Sequence, residues 1–388
     1  ADADIAFDIT TAGTADTVVT GAGADTVIAA VAADSVTTGK GNDKITLNLA
    51  GAYTGTLAMG AGTGDEIRSI DAAVDIKGAA VSGVEKITIN TADGIIVSSA
   101  QANTFNTTDA FSVTGVNGGS AEVFTVKADG GAVSNVDISG IAFTDVSPVV
   151  NIDDVKDVLK TGQTDDSFGL VFSGAFTANA LLNLNAGTGT GDVLDINTTS
   201  ATAFTAGTLS GFETLDLIDD ADVTLSEAQV AQFTTVTGKA AGNTETLTLA
   251  ANSGAVSAVD LSAKTFSNVA LVTMTIDNVS DSFTGDTAVE HFDIDTGAAF
   301  TALGAFTLDG GAGTDVLDIN TTNIVDFSAG SLSNMETIEL DAGGATHVKL
   351  SASMHNQFSA GTVTGDTSDT LTVTTGMNSA SVTGTGVI

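Results

Sequence analysis

Cysteine and tryptophan are absent from the 388 residues, which hold one proline, one tyrosine, three histidines and a single arginine, Arg68. Without cysteine there is no disulfide and no thiol nucleophile, so a chain working outside the cell needs some other staple. Cations are the next shortage: 11 Lys and Arg stand against 48 Asp and Glu, a formal net charge of −37. A nucleic-acid partner requires a basic face to meet its phosphates, and lysines scattered from Lys40 to Lys349 do not supply one. No run approaches the ~20 apolar residues of a membrane-spanning helix. The opening Ala1-Asp2-Ala3-Asp4-Ile5 has no initiator Met, basic region or apolar stretch, and the expectation is a processed chain or an excised fragment.

What is present is apolar and small. Hydrophobic residues make up 43% of the chain and charged ones 15%, with 44 glycines, so there is ample Val, Ile, Leu and Ala to bury and the chain folds. In such a composition the carboxylates suggest a divalent cation in place of a disulfide. Repeats set the architecture of a chain like this and have to be found before its elements.

The first fifty residues carry Asp16, Asp25, Asp34 and Asp43 at a spacing of nine, with Val18, Val27, Val36 and Ile45 two positions after each. Gly21 and Gly23 precede Asp25 as Gly39 and Gly41 precede Asp43, eighteen residues on. Each nonapeptide predicts a tight glycine turn followed by a short strand, so that two make one eighteen-residue coil. Glycine lets the turn aim its carbonyls inward and the aspartate adds hard oxygen ligands, a set that suits Ca²⁺ rather than zinc. The two glycine loops are therefore expected to share an ion. Asp34, preceded by four residues without glycine, is expected to hold register without binding. Downstream, Gly310, Gly311, Gly313, Asp315 and Asp318 complete a G-G-x-G-x-D-x-U-x nonapeptide.

A longer repeat covers the rest. Asp192 to Thr199 returns verbatim at Asp315 to Thr322, and Ala132 to Ser139 matches Ala255 to Ser262, both at an offset of 123. Ser82-Gly83-Val84-Glu85, Ser210-Gly211-Phe212-Glu213 and Ser333-Asn334-Met335-Glu336 are one further element in three copies. The expected organisation is a nonapeptide segment at 1–50, repeat units at 51–174 and 175–299, and an incomplete third unit at 300–388. Throughout, an acid is followed by an apolar residue two positions on and, except at Asp65 where Ser69 takes the place, by another four positions on, at Asp65, Glu85, Glu122, Asp166, Asp192, Glu213, Glu245, Glu290, Asp315, Glu336 and Asp369. Alternate strand residues share a face, so this grammar places the acid at a corner just before a buried pair. The fold class expected is all-β, a parallel β-solenoid. Ser98 to Phe105, Ser226 to Phe233 and Ser351 to Phe358 interrupt it with helix formers after a serine, and a short helix is predicted in each. Their phenylalanines are expected to pack under the solenoid edge.

The chemistry of an enzyme is missing. His291, His347 and His355 form no H-E-x-x-H pattern, and there is no G-x-S-x-G elbow. Adjacent acids such as Asp153 with Asp154, Asp165 with Asp166 and Asp219 with Asp220 are expected to be solvated turns or ion ligands rather than glycosidase carboxylates. A β-helix polysaccharide lyase is disfavoured, because so little positive charge could clamp an anionic sugar. Outward threonines at Thr370, Thr372 and Thr374 and at Thr244, Thr246 and Thr248 are expected from β-propensity, with ice or glycan binding as the alternative. Lys77, Lys86, Lys127, Lys239 and Lys264 are read as surface charges that relieve acid repulsion or mark subunit contacts.

The nonapeptides around Asp16 to Asp43, the Gly310 to Asp318 motif and the strands at Glu85, Glu213 and Glu336 together resemble the calcium-binding RTX S-layer proteins exported by type I secretion. The resemblance implies an RTX β-roll or β-helix with multiple Ca²⁺ ions. Its ligands would come from Asp16, Gly21, Gly23, Asp25, Gly39, Gly41, Asp43, Asp65, Asp192, Glu213, Gly310, Gly311, Gly313, Asp315, Asp318 and Glu336. At Asp65 and Asp192 the preceding glycines, Gly60, Gly62 and Gly64 and then Gly187, Gly189 and Gly191, are offset by one from that pattern. It also implies secretion to the bacterial cell surface, self-assembly into a two-dimensional lattice, and lipopolysaccharide contact through a region outside this chain. An RTX adhesin or an ice- or glycan-binding module is the alternative.

Overall fold

In a computed structural model the chain is 46% strand and 6% helix, with the strands in parallel sheets that form a β-solenoid. The structure describes residues 5–383 apart from 71–72, 91–93, 117–121, 128–129, 163, 172–173, 219, 240–243, 251–253, 295, 297, 341–344, 359–361, 366–367 and 376–377. Asp219 of the Asp219–Asp220 pair lies outside the described residues. The chain divides into two compact units. The first comprises Ala1–Phe172, Asn179–Asp195 and Gly207–Phe212, and the second Ser173–Ala178, Ile196–Ala206 and Glu213–Ile388.

In the first unit the nonapeptides set the opening coils. Asp8–Thr10 pairs in parallel with Thr26–Ala29 and that strand with Lys44–Leu47, while Thr17–Val19 pairs with Ser35–Thr37. Partners such as Asp8 with Thr26 and Thr17 with Ser35 are eighteen residues apart, two nonapeptides per coil as the spacing predicts. From Gly51–Ala52 onward each coil gains a third strand, and this added sheet runs through Val74–Asp75, Ile95–Ser98, Val123–Lys127, Ser147–Ile152 and Ser167–Leu170. Within strands burial alternates, as in Val27 and Ala29 or Ile67 and Ser69, because every second side chain points into the coil.

The chain's one proline sits inside this sheet. Pro148 lies opposite Phe124 on one side, whereas pairing to the other neighbour begins only at Val149 with Ser167. In a parallel ladder successive residues donate to opposite neighbours, and Ser147 donates to Glu122, so the missing donor of Pro148 falls on the side not yet paired.

The second unit repeats the three-strand coil. Its largest sheet runs Phe176–Thr177, Thr202–Ala203, Asp222–Ser226, Thr246–Ala250, Leu271–Thr275, Glu290–Ile294, Val316–Ile319, Thr337–Leu340 and Thr362–Thr364. Aromatics cluster in its coils: Phe300, Phe306 and Phe327 have ring centroids 5.3 to 5.9 Å apart, in edge-on and tilted contacts, and are buried. The final pairing, Thr370–Thr375 with Asn378–Thr383, is antiparallel.

All three predicted helices form. Ser98 caps Ser99–Thr107 and Ser226 caps Glu227–Val230, each in a reciprocal capping box with Gln101 or Gln229. Ser351 caps Ala352–Gln357 through the N–H of Met354 alone, since methionine replaces the glutamine. Gln101 and Gln229 also donate to the preceding coil, at the carbonyls of Ile76 and Ala79 and of Phe204, so each box anchors its helix to the solenoid. Phe105, Phe233 and Phe358 are buried.

A ladder of buried corner carboxylates as the candidate site

Four strands of the first unit, Thr26–Ala29, Lys44–Leu47, Glu66–Ser69 and Lys86–Ile89, each begin one residue after an acid. Asp25, Asp43 and Asp65 are buried, and their carboxylates reach back one coil. The N–H of Phe7 donates to Oδ1 of Asp25 (2.9 Å), that of Asp25 to Oδ1 of Asp43 (2.8 Å), and that of Asp43 to Oδ1 of Asp65 (2.7 Å). The N–H of Asp65 donates in turn to Oε2 of Glu85 (2.9 Å). At these corners sheet pairing has not yet begun, so the side chain supplies the acceptor that the backbone lacks. Oδ2 of Asp25, Asp43 and Asp65 is buried without a hydrogen-bond partner.

The same contact recurs at further corners. In the second unit the N–H of Glu290 donates to Oδ1 of Asp315 (2.9 Å) and that of Asp315 to Oε2 of Glu336 (2.8 Å). Asp315 and Glu336 thus reproduce the pair Asp65 and Glu85. Oδ2 of Asp315 and both carboxylate oxygens of Glu290 are buried without a hydrogen-bond partner. In the first unit Asp166 donates to Oδ1 of Asp192 (2.7 Å). Of the acids picked out by their apolar followers, Asp65, Glu122, Asp166, Asp192, Glu245, Glu290, Asp315 and Asp369 are buried, whereas Glu85, Glu213 and Glu336 are half-buried.

Burial without a counter-charge shows in the acidities. It pushes Asp65 and Asp166 up to about 6 and Glu290 up to about 9, with Asp286 and Asp315 adding to the rise at Glu290. Asp315 is raised by the same cause. Desolvation penalises the charged form, and the hydrogen bonds that Asp65, Asp166 and Asp315 accept offset it only in part.

The glycines have a steric reason of their own. A Cβ on Gly39 would lie 1.7 Å from the carbonyl oxygen of Gly21, one on Gly41 2.0 Å from that of Gly23, and one on Gly60 1.6 Å from that of Gly39. Successive coils meet there backbone against backbone, held by the N–H of Lys40 on Gly21 (3.0 Å) and of Ala61 on Gly39 (2.9 Å). Other glycines make room for the corner acid. A Cβ on Gly62 would meet both oxygens of Asp65 at 2.7 Å, and one on Gly189 those of Asp192 at 2.8 and 2.9 Å. Gly310 and Gly313 stand in the same relation to Asp315, at 2.6 and 2.8 Å, while Gly311 turns the loop at φ +83°. Of the glycines offset by one before Asp65 and Asp192, Gly62 and Gly189 therefore serve the corner as Gly310 and Gly313 do at Asp315, while Gly64 and Gly191 lie against Asn42 and Asp165.

The sixteen residues do not gather into one site. Asp16 is half-buried and belongs to a second ladder, its N–H donating to Oδ1 of Asp34 (2.9 Å). Asp34 has both oxygens engaged, Oδ2 accepting from Thr11 (2.5 Å) and Val31 (3.0 Å), so it holds register as expected. Asp318 lies on the outward face of Val316–Ile319, opposite Asp293 and Glu339, and not at the Asp315 corner. Glu213 offers its backbone carbonyl to Thr234 and Thr235.

Asp157 and Asp281 are buried acids that the apolar grammar overlooks. Each accepts three backbone N–H groups, from Ser134, Asp153 and Asp154 or from Ser257, Asp277 and Asn278, and organises its loop. Their spacing of 124 residues, close to the long period, is the signal that finds them. Lys264, read as a surface charge, instead donates to the carbonyls of Ala231 (3.1 Å) and Phe233 (2.6 Å) just beyond the helix Glu227–Val230.

Among the described residues no three His, Cys, Asp or Glu side chains converge to hold a metal. An ion at these corners would take single carboxylates with backbone oxygens, and the unpaired inward oxygens of Asp25, Asp43, Asp65, Glu290 and Asp315 are donors of the hard type that Ca²⁺ takes. No protein-family model, curated protein or solved structure matches the chain.

Proposed function

We propose that this chain is a structural subunit of a bacterial surface layer, a secreted solenoid whose folding and lattice assembly depend on Ca²⁺. The observation that carries this reading is the stack of buried corner aspartates, each with one oxygen bound to the preceding coil and one left over. Asp25, Asp43 and Asp65 in the first unit and Glu290 and Asp315 in the second would hold the ion, which would supply the missing counter-charge. Without it the acids repel and the chain of net charge −37 is poorly compact. With it, each site filled to a hundredfold excess over Kd contributes about 2.7 kcal/mol, and several such sites match the ~5 to 15 kcal/mol of a typical domain. A cysteine-free chain gains its staple this way only where the cation is abundant, which favours the cell exterior.

Circular dichroism and electron microscopy in excess CaCl2 and in EGTA test the reading. Calcium should raise the melting temperature and produce ordered sheets. A melting curve unchanged by EGTA removes calcium from the account, and a calcium-loaded monomer that binds a glycan favours the adhesin instead.

A further inference from the structure

Among the described residues Glu290 alone has both carboxylate oxygens buried without a hydrogen-bond partner. It opens the strand Glu290–Ile294 instead of preceding it, and register places it in line with Leu247 and Val272, whose side chains fill the coil interior. Glu290 is fully buried there. Glu245, a buried glutamate at a corner of the same sheet, has its needs met: Oε1 accepts from the N–H of Lys239 (3.0 Å) and Oε2 from that of Thr244 (3.1 Å). The groups that face Glu290 are Asp286 and Asp315, carboxylates themselves, and no Lys, Arg or His forms an ion pair with it among the described residues.

Oxygen lines the space beside it. A Cβ on Gly285 would lie 2.4 Å from the carbonyl oxygen of Gly310 and 2.7 Å from Oε2 of Glu290. One on Gly310 would lie 2.6 Å from Oδ2 of Asp315, the oxygen that the ladder leaves without a partner. The two acids belong to successive coils and are tied by the N–H of Glu290 on Oδ1 of Asp315 (2.9 Å). Three unpaired carboxylate oxygens and a backbone carbonyl thus meet across one coil step, with the buried Asp286 adding negative charge nearby. In the first unit Asp25, Asp43 and Asp65 each supply one unpaired oxygen. Ligand charge is what tunes calcium affinity, and a glutamate is able to take the ion through both oxygens.

We propose that Glu290 binds calcium through both oxygens together with Oδ2 of Asp315 and the Gly310 carbonyl, and that this corner fills before the Asp25, Asp43 and Asp65 ladder as calcium rises. A buried carboxylate with no donor gains more from a cation than one already half satisfied by a backbone amide. Gly285 keeps the space open, since a methyl group there would displace the oxygens that meet in it. The proposal rests on the calcium reading and deepens it by ranking the sites. A proton is the rival occupant, because a protonated Glu290 would donate to a neighbouring acid and need no ion.

Competition for calcium against a chromophoric chelator tests it, at about pH 8.5 so that the proton competes less. The full chain should show a tight class of site, with a Kd at least about tenfold below that of the remaining ions. Glu290→Gln keeps the shape of the side chain and a donor toward Asp315 but loses the charge, and it should remove the tight class while the weaker ions still bind. Asp43→Asn should leave the tight class as it is. Circular dichroism confirms that the variants are folded. Should Glu290→Gln fail to fold, Asp315→Asn carries the same test, since it keeps an acceptor for the Glu290 amide. A Glu290→Gln isotherm identical to wild type leaves Glu290 holding only a proton and overturns the proposal. So does a wild type with one class of site, or a tight class lost in Asp43→Asn instead. In each of these cases the calcium reading stands. A wild type that takes up no calcium overturns both.

Discussion

The backbone N–H of Asp43 donates to Oδ1 of Asp65 at 2.7 Å, one coil further along the solenoid, while Oδ2 of the same carboxylate has no hydrogen-bond partner. One oxygen is thus part of the fold and the other is buried without a hydrogen-bond partner. Asp65→Ala removes both and strands a buried donor, a loss of about 1 to 3 kcal/mol. Asp65→Asn keeps a carbonyl acceptor for the amide but loses the charge. In EGTA the asparagine variant should unfold in urea within about 1 kcal/mol of wild type and the alanine variant well below it. In CaCl2 the asparagine variant should gain less stability than wild type. An asparagine variant with the full calcium gain would show that Asp65 serves the ladder alone.

Two glycines of the same loop pair should respond oppositely to a methyl group. A Cβ on Gly39 would lie 1.7 Å from the oxygen of Gly21, whereas one on Gly21 meets nothing within 4 Å. Gly39→Ala forces two coils apart and should cost at least about 3 kcal/mol, at the upper end for an overpacked site. Gly21→Ala should change stability by about 0.5 kcal/mol or less, the range of an open surface position. Thermal melts in EGTA separate this packing demand from any effect on calcium, since the clash persists without the ion.

In the absence of divalent cations the fold should weaken as pH rises. Asp65 and Asp166 titrate at about 6 in the folded chain against a usual 3.8, and Glu290 at about 9 against 4.5, all raised by burial. A carboxyl with a raised folded pKa holds its proton better folded than unfolded. Its favourable contribution is complete below the unfolded value and is lost as pH climbs through the folded one. The melting temperature in EGTA should therefore fall from about pH 4 to 6 as Asp65 and Asp166 ionise, and fall further toward pH 9 with Glu290. Calcium should flatten that decline by holding the same carboxylates in their charged form. A melting temperature that rises between pH 5 and 8 in EGTA would contradict the burial of these acids.

Periodicity carried the local architecture into the sequence. The nine-residue register of Asp16, Asp25, Asp34 and Asp43 is the coil itself, and it returns as the eighteen-residue offset of Asp8 and Thr26. Apolar residues two and four positions after an acid marked Asp192 and Asp315 as corners, and Ile67 alone marked Asp65, because strand geometry makes alternation local. The serine caps at Ser98, Ser226 and Ser351 were legible for the same reason, a cap and its partner being three residues apart.

Beyond the eighteen-residue coils, what crosses from one coil to the next was decided by the tertiary structure. Coils lengthen from 18 residues, at Asp8 and Thr26, to 30, at Ser112 and Ala142, so no fixed spacing names a residue's neighbour. Hence the lack of cysteine and the excess of acid could predict a chain needing counter-charge, but not which oxygen is left over. That depends on which amide of the preceding coil meets the other oxygen. The scarcity of cations was equally plain in the sequence. That Glu290 lies inside its strand, where Asp315 stands one residue before its own, was not, because pairing in register with Val272 begins the strand there.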